Sequence, residues 1–210
     1  MKVSEKSLEL NIGAEILGII REQWGMPRVY LRGLTQLEER QEGVDFFAEL
    51  DPAARLFAFQ FKAPKGTVES LPYRYALVSY QHNALFQLAQ FSANSVFYVF
   101  PFYVTTAKLQ QDVPVLAQDT WLLGVDPMQP AQVFRGAQTK VVRCQDGQAA
   151  INPEYRLQPL KHVPQGTMVG IRPQEFARWY RHYRAQHGRR TSRRRSPWLA
   201  RGLRIAIVMP

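Results

Sequence analysis

Cysteine is all but missing from this chain. Cys144 stands alone among 210 residues, which excludes an intramolecular disulfide and any zinc site built from the cysteines of one chain. No partner histidine or thiol motif accompanies it, so Cys144 reads as a buried, incidental residue. Histidine is sparse too: His82, His162, His182 and His187 lack the paired spacing of a zinc-binding helix. Long hydrophobic runs are also lacking. The most apolar window, Ser95 to Val104, contains Pro101 and is about half the length needed to span a bilayer. Lys2, Glu5, Lys6 and Glu9 interrupt the opening residues, where a secretory leader needs an unbroken apolar stretch. These absences predict a soluble, cytoplasmic protein.

Charge is distributed unevenly. The formal net charge is +10, yet residues 171–210 hold eleven arginines, no lysine and a single acid, Glu175. The first 170 residues are therefore electroneutral, with 16 basic and 16 acidic side chains. A uniformly basic architectural protein is excluded, and a neutral body with an arginine-rich extension takes its place. The division predicts an α/β domain over 1–170 and a basic helix and tail over 171–210. A content of 46% hydrophobic residues over the whole chain excludes wholesale disorder.

Periodicity supplies the elements. Leu8, Ile12, Ile16, Ile19 and Ile20 recur at helical spacing between Ser4 and Trp24, with Ser4 or Ser7 as N-cap and Gly25 as stop. Residues 28–32 read as a strand and 35–41 as a polar turn. Strands 44–50 and 55–62 form a hairpin around Asp51-Pro52-Ala53-Ala54. A helix from Tyr75 to Phe91 leads into strand 96–101, whose continuous apolar run suits a central position covered on both faces. Residues 121–125 and 139–143 read as strands, 106–119 and 145–165 as loops or short helices. Pro173 to Gln186 reads as a helix whose Phe176, Trp179, Tyr180 and Tyr183 form a packing stripe. Residues 203–208 add a last strand. The sum is a mixed α/β fold, a central sheet flanked by helices.

Chemistry concentrates at the hairpin. Alternation along 56–62 sends Phe57, Phe59 and Phe61 to one face and Ala58, Gln60 and Lys62 to the other. Asp45 opens the preceding strand. A carboxylate, an amide oxygen and a lysine gathered at one sheet edge can hold a hard divalent cation and orient a water against a phosphodiester. Lysine would position that nucleophile or stabilise the developing charge.

At these residues the chain resembles the PD-(D/E)xK, restriction-endonuclease-like nuclease superfamily, in its variant with Gln-x-Lys. The resemblance spans roughly residues 4–100 and implies a core of that type. It implies that Asp45, Gln60 and the Phe61 backbone carbonyl ligate Mg²⁺ or Mn²⁺, with Lys62 as the catalytic lysine. A first-helix acid joins them. Glu9 is preferred over Glu15, which is left for solvent. Gln81, in the helix after the motif, matches a further polar active-site position, whereas His82 beside it reads as a surface or packed histidine rather than a catalytic base. Val44 stands where the family name has proline, and Gln60 replaces an acid. Glu38 or Glu39 could supply the missing negative charge.

The resulting expectation is a Mg-dependent nuclease, with DNA preferred over RNA. Arg178, Arg181, Arg184, Arg189, Arg190, Arg193, Arg194 and Arg195 would anchor the nucleic-acid backbone through paired guanidinium hydrogen bonds. A homodimer would place two such sites on opposite strands. The alternatives are a non-catalytic nucleic-acid-binding protein on the same scaffold, and an interaction subunit whose arginines dock on an acidic partner.

Overall fold

Ser4 opens the first helix by accepting a hydrogen bond from the Ser7 backbone N–H at 3.0 Å. Helix α1 then runs over Glu5–Gln23 in the computed structural model, which describes residues 1–23, 29–33, 55–91, 93–151, 154–162, 178 and 203–208. Its stripe of Leu8, Ile12 and Ile16 is buried. Each such side chain is worth roughly 1.5–3 kcal/mol on burial, which outweighs the roughly half a kcal/mol an isoleucine costs in helix propensity.

The stripe packs on a six-stranded mixed sheet. Its strands are β1 (Val29–Gly33), β2 (Arg55–Phe61), β4 (Val96–Pro101), β5 (Thr120–Gly124), β9 (Gln158–Pro159) and β10 (Leu203–Val208). Their order is β1-β10-β2-β4-β5-β9. The β2–β4 pair is parallel and the others are antiparallel. All six residues of β4 are buried, as its apolar run predicts for a strand covered on both faces. The hairpin partner expected for β2, residues 44–50, lies outside the described residues. The two neighbours of β2 in the structure are β10 and β4.

Two cores result from the alternation in β2 and β4. Phe57, Phe59, Phe61, Phe97 and Val99 face α1. Ala58, Val96, Tyr98 and Phe100 face helix α2 (Ser79–Ala89) and a second, four-stranded antiparallel sheet. That sheet is made of β3 (Tyr73–Val78), β6 (Thr139–Gln145), β7 (Gln148–Ala150) and β8 (Glu154–Arg156), in chain order. Two short helices, α3 (Thr106–Asp112) and α4 (Pro130–Phe134), complete the fold. The mixed α/β reading with helices on a central sheet is therefore what the chain adopts. None of the described helices is long and apolar enough to cross a membrane.

Three expectations need correction. The helix predicted to begin at Tyr75 begins at Ser79, because 73–78 alternates: Tyr75 and Leu77 are buried while Arg74 points out. Six consecutive residues there pair with β6, and the Tyr75 hydroxyl donates to the Pro101 carbonyl at 2.8 Å. The stretch 145–165, read as loops or short helices, contributes β7, β8 and β9 as well as one short 3₁₀ helix, Leu160–His162. Asp146 and Gly147 both have positive φ, 51° and 72°. They make the two-residue turn whose twist suits a hairpin between β6 and β7.

Glu15 does not face solvent. Its carboxylate accepts hydrogen bonds from the Leu116 and Ala117 backbone N–H groups, both at 2.6 Å, at the start of the 3₁₀ turn Leu116–Asp119. Glu15→Ala should therefore lower stability by about 1–3 kcal/mol in urea unfolding.

Candidate active site

Lys62 follows the last residue of β2, and its backbone N–H still donates to the Val99 carbonyl at 3.1 Å. The parallel pairing with β4 thus carries the chain straight past the strand end and fixes where the lysine projects. Gln60 and Lys62 lie on the α2 side of the sheet, as alternation requires. The first turn of α2 brings Gln81 over them. All three side chains are buried: Gln60 is 0% exposed, Gln81 2% and Lys62 7%.

A chain of hydrogen bonds links these groups. Lys62 Nζ donates to Gln81 Oε1 at 2.6 Å, Gln81 Nε2 donates to Gln60 Oε1 at 2.8 Å, and Gln60 Nε2 donates to the Phe61 carbonyl at 3.1 Å. Its direction is fixed by chemistry. An ammonium can only donate, so Gln81 must present its oxygen to Lys62 and its amide nitrogen to Gln60. Gln60 must then turn its own nitrogen toward Phe61. Burying polar groups is costly unless they are paired, and this relay pairs them in a single arrangement.

Acids approach from α1. Glu9 is 5% exposed and its Oε2 lies 3.4 Å from Lys6 Nζ. Glu5, one turn earlier on the same helix face, accepts a hydrogen bond from the Ala63 backbone N–H. Burial pushes the Glu5 carboxyl above its ordinary pKa; the Lys62 charge and the Ala63 N–H pull it down, and Glu9 adds to the rise. Glu5, Glu9, Lys62 and Gln81 line one open cavity of about 600 Å³. Lys2, Lys6 and Lys65 line it as well.

Of the residues singled out from sequence, Lys62, Gln81, Gln60 and the Phe61 carbonyl are joined by hydrogen bonds, and Glu9 lines the same cavity as Lys62 and Gln81. Asp45 lies outside the described residues, with Glu38 and Glu39. Arg181, Arg184, Arg189, Arg190, Arg193, Arg194 and Arg195 also lie outside them; Arg178 is described and is exposed. Glu5 was missed, although its place four residues before Glu9 is the signal that would have found it. The three lysines at the mouth gave no motif.

The donors fit a hard divalent cation in kind: carboxylate, amide and carbonyl oxygens, without imidazole or thiolate. Within the relay Gln60 Oε1 and the Phe61 carbonyl each accept one hydrogen bond. No group of three His, Cys, Asp or Glu side chains suited to a metal ion occurs among the described residues.

Two other titratable groups are structural. His82 donates from Nε2 to the Met128 carbonyl at 2.8 Å and accepts at Nδ1 from the Tyr98 hydroxyl at 3.1 Å. The carbonyl can only accept, so Nε2 carries a proton; burial lowers the ring's pKa, which favours the neutral form that leaves Nδ1 as acceptor. It stacks on Tyr98 at 5.9 Å and 7°. Cys144 is buried, and its thiol is pushed up to about 12 by burial. Both match the packing roles expected of them.

No family model, curated protein or solved structure matches the chain, so the functional reading rests on the site.

Glu5 gives a pH test. Its folded-state pKa lies above the ordinary value of 4.5, so the folded protein binds more protons than the unfolded chain between the two values. Stability is lost as pH rises through that window. Glu5→Gln keeps an acceptor for Ala63 N–H and removes the charge. It should be more stable than wild type at pH 7 in chemical denaturation, with the difference closing toward pH 4.

Proposed function

We propose that the protein is a divalent-cation-dependent nuclease with a restriction-endonuclease-like core, hydrolysing phosphodiester bonds in DNA or RNA. The observation that carries this reading is the buried Lys62–Gln81–Gln60 relay at the end of a central parallel strand, opening on a cavity shared with Glu5 and Glu9. The relay orients the Lys62 ammonium at that cavity. It suits a site that receives negative charge during reaction.

Asp45, Glu9, Gln60 Oε1 and the Phe61 carbonyl would hold Mg²⁺ or Mn²⁺. When bound, the cation polarises a phosphoryl oxygen and lowers the pKa of water. The chain's own groups do the rest. Gln81 fixes the Lys62 ammonium and, through Gln60, the orientation of the amide oxygen. Lys62 orients the attacking water and offers a proton donor to the charge that builds on the phosphoryl oxygens. Water oxygen bonds to phosphorus as the bridging P–O bond breaks; the water loses a proton to solvent and the leaving alkoxide gains one. The arginines of residues 171–210 would keep the polyanion near this neutral body.

Nuclease assays with Mg²⁺ or Mn²⁺, on single- and double-stranded DNA and RNA, test the reading. Wild type should cut, and Asp45→Ala and Lys62→Ala should each lose on the order of 10²–10³ in rate. Equal cleavage by all three proteins would remove Asp45 and Lys62 from the chemistry. Binding without cleavage under any condition would favour the non-catalytic alternative.

A further inference from the structure

On that nuclease reading, we infer that the outward face of the second sheet is the track on which the substrate's phosphodiester backbone lies, held by Arg74 and Arg143. The alternation that buries Tyr75, Leu77, Val142 and Cys144 turns Arg74, Ala76, Val141 and Arg143 to the other face. In the register of β3 and β6, Arg74 stands directly opposite Arg143. Side chains so placed are about 5 Å apart at Cβ, and like charges there are destabilising. Both arginines are exposed. Neither they nor nearby Lys140 make an ion pair among the described residues. An anion between the two guanidinium groups would relieve the repulsion, and their planar forks match phosphate oxygens.

The surface has the shape for a backbone. Arg74, Lys140, Val141, Arg143, Ala150 and Glu154 line an open groove of about 600 Å³. Its apolar lining is Val141, Ala150 and Ile151, and the groove is open rather than a closed pocket of the kind that anchors a protein partner's aromatic side chain. Three cations face one acid, on a body that is electroneutral over its first 170 residues. Positive charge is thus gathered on this face.

The groove also leads to the site. The Lys65 backbone N–H donates to the Arg74 carbonyl at 2.6 Å, and Lys65 lines the active-site cavity. Ala76 and Val78, the outward positions that follow Arg74 on β3, line that cavity too. Four residues of strand span about 13 Å, the axial length of about four phosphates of one duplex strand. A polynucleotide lying on Arg74 and Arg143 therefore reaches Lys62 by following β3. This face supplements the arginines of the C-terminal extension and supplies what they do not, a direction into the site.

Fluorescence anisotropy of the full-length protein with labelled DNA and RNA of about 20 nucleotides, in EDTA to prevent cleavage, tests this across about 50–200 mM salt. Arg74→Gln with Arg143→Gln should weaken binding by roughly ten-fold or more and reduce the slope of log K against log salt by about 2. Arg74→Lys with Arg143→Lys should retain most of the slope, and Lys108→Gln, on α3, should leave it unchanged. A thermal melt of the double glutamine variant should be no lower than wild type, because both side chains are exposed and the repulsion between them is removed. An unchanged affinity and slope in that variant would overturn the track, even if Lys62→Ala abolishes cleavage. Conversely, arginine-dependent binding with no cleavage would leave the track standing and remove the nuclease. Displacement of the oligonucleotide by poly-glutamate at equal charge concentration would overturn the assignment in favour of an acidic protein partner.

Discussion

The hydrogen bond from the Lys62 ammonium to Gln81 Oε1 ties the end of β2 to the first turn of α2, and the rest of the site takes its orientation from it. A cation removed from water must be compensated or it loses its proton. Here the compensation comes from an amide whose other end is committed to Gln60, and from acids across the cavity, of which Glu5 senses the lysine's charge. Reversing either glutamine amide would set donor against donor. The relay therefore selects one arrangement of the buried polar groups and specifies where two oxygen acceptors, Gln60 Oε1 and the Phe61 carbonyl, are held.

That arrangement depends on the central sheet having two dry faces. The phenylalanines of β2 seal the α1 side, and Tyr98, Phe100 and the α2 stripe seal the other. Only past the strand end does the packing open, and there α1, α2 and β3 converge. Glu5 and Glu9 reach this opening because Leu8, Ile12 and Ile16 set the rotation of α1 on the sheet. Glu15, on the same helix, is committed to the 3₁₀ turn. Hydrophobic burial thus decides which glutamate faces the lysine.

Much of this was legible in the sequence because it follows from period. The alternation of Phe57, Phe59 and Phe61 with Gln60 and Lys62, the isoleucine stripe of α1 and the unbroken apolar β4 each state their environment in the order of residue types. The reach of Glu9 toward the site was a matter of helix rotation, and Leu8 fixed it. Other features depend on partners distant in sequence. Residues 73–78 hold a helical as well as an alternating pattern, and pairing with β6 decides between them. The β6–β7 turn has its signature in Asp146-Gly147, which sits among polar residues that read as loop. Glu5 looked like an ordinary first-turn acid until Ala63 and Lys62 were placed beside it. The pairing of Arg74 with Arg143 belongs to register, which sequence spacing does not express.

The central claim is that these oxygen donors form a cation site beside a fixed lysine. Titration of the full-length protein with Mn²⁺, followed by the electron paramagnetic resonance signal of the free ion, addresses it without reference to any substrate. The account predicts binding by wild type that Glu9→Gln and Asp45→Asn each weaken by at least ten-fold, about 1.4 kcal/mol. Binding of the same strength in all three proteins, or none in wild type, would contradict it.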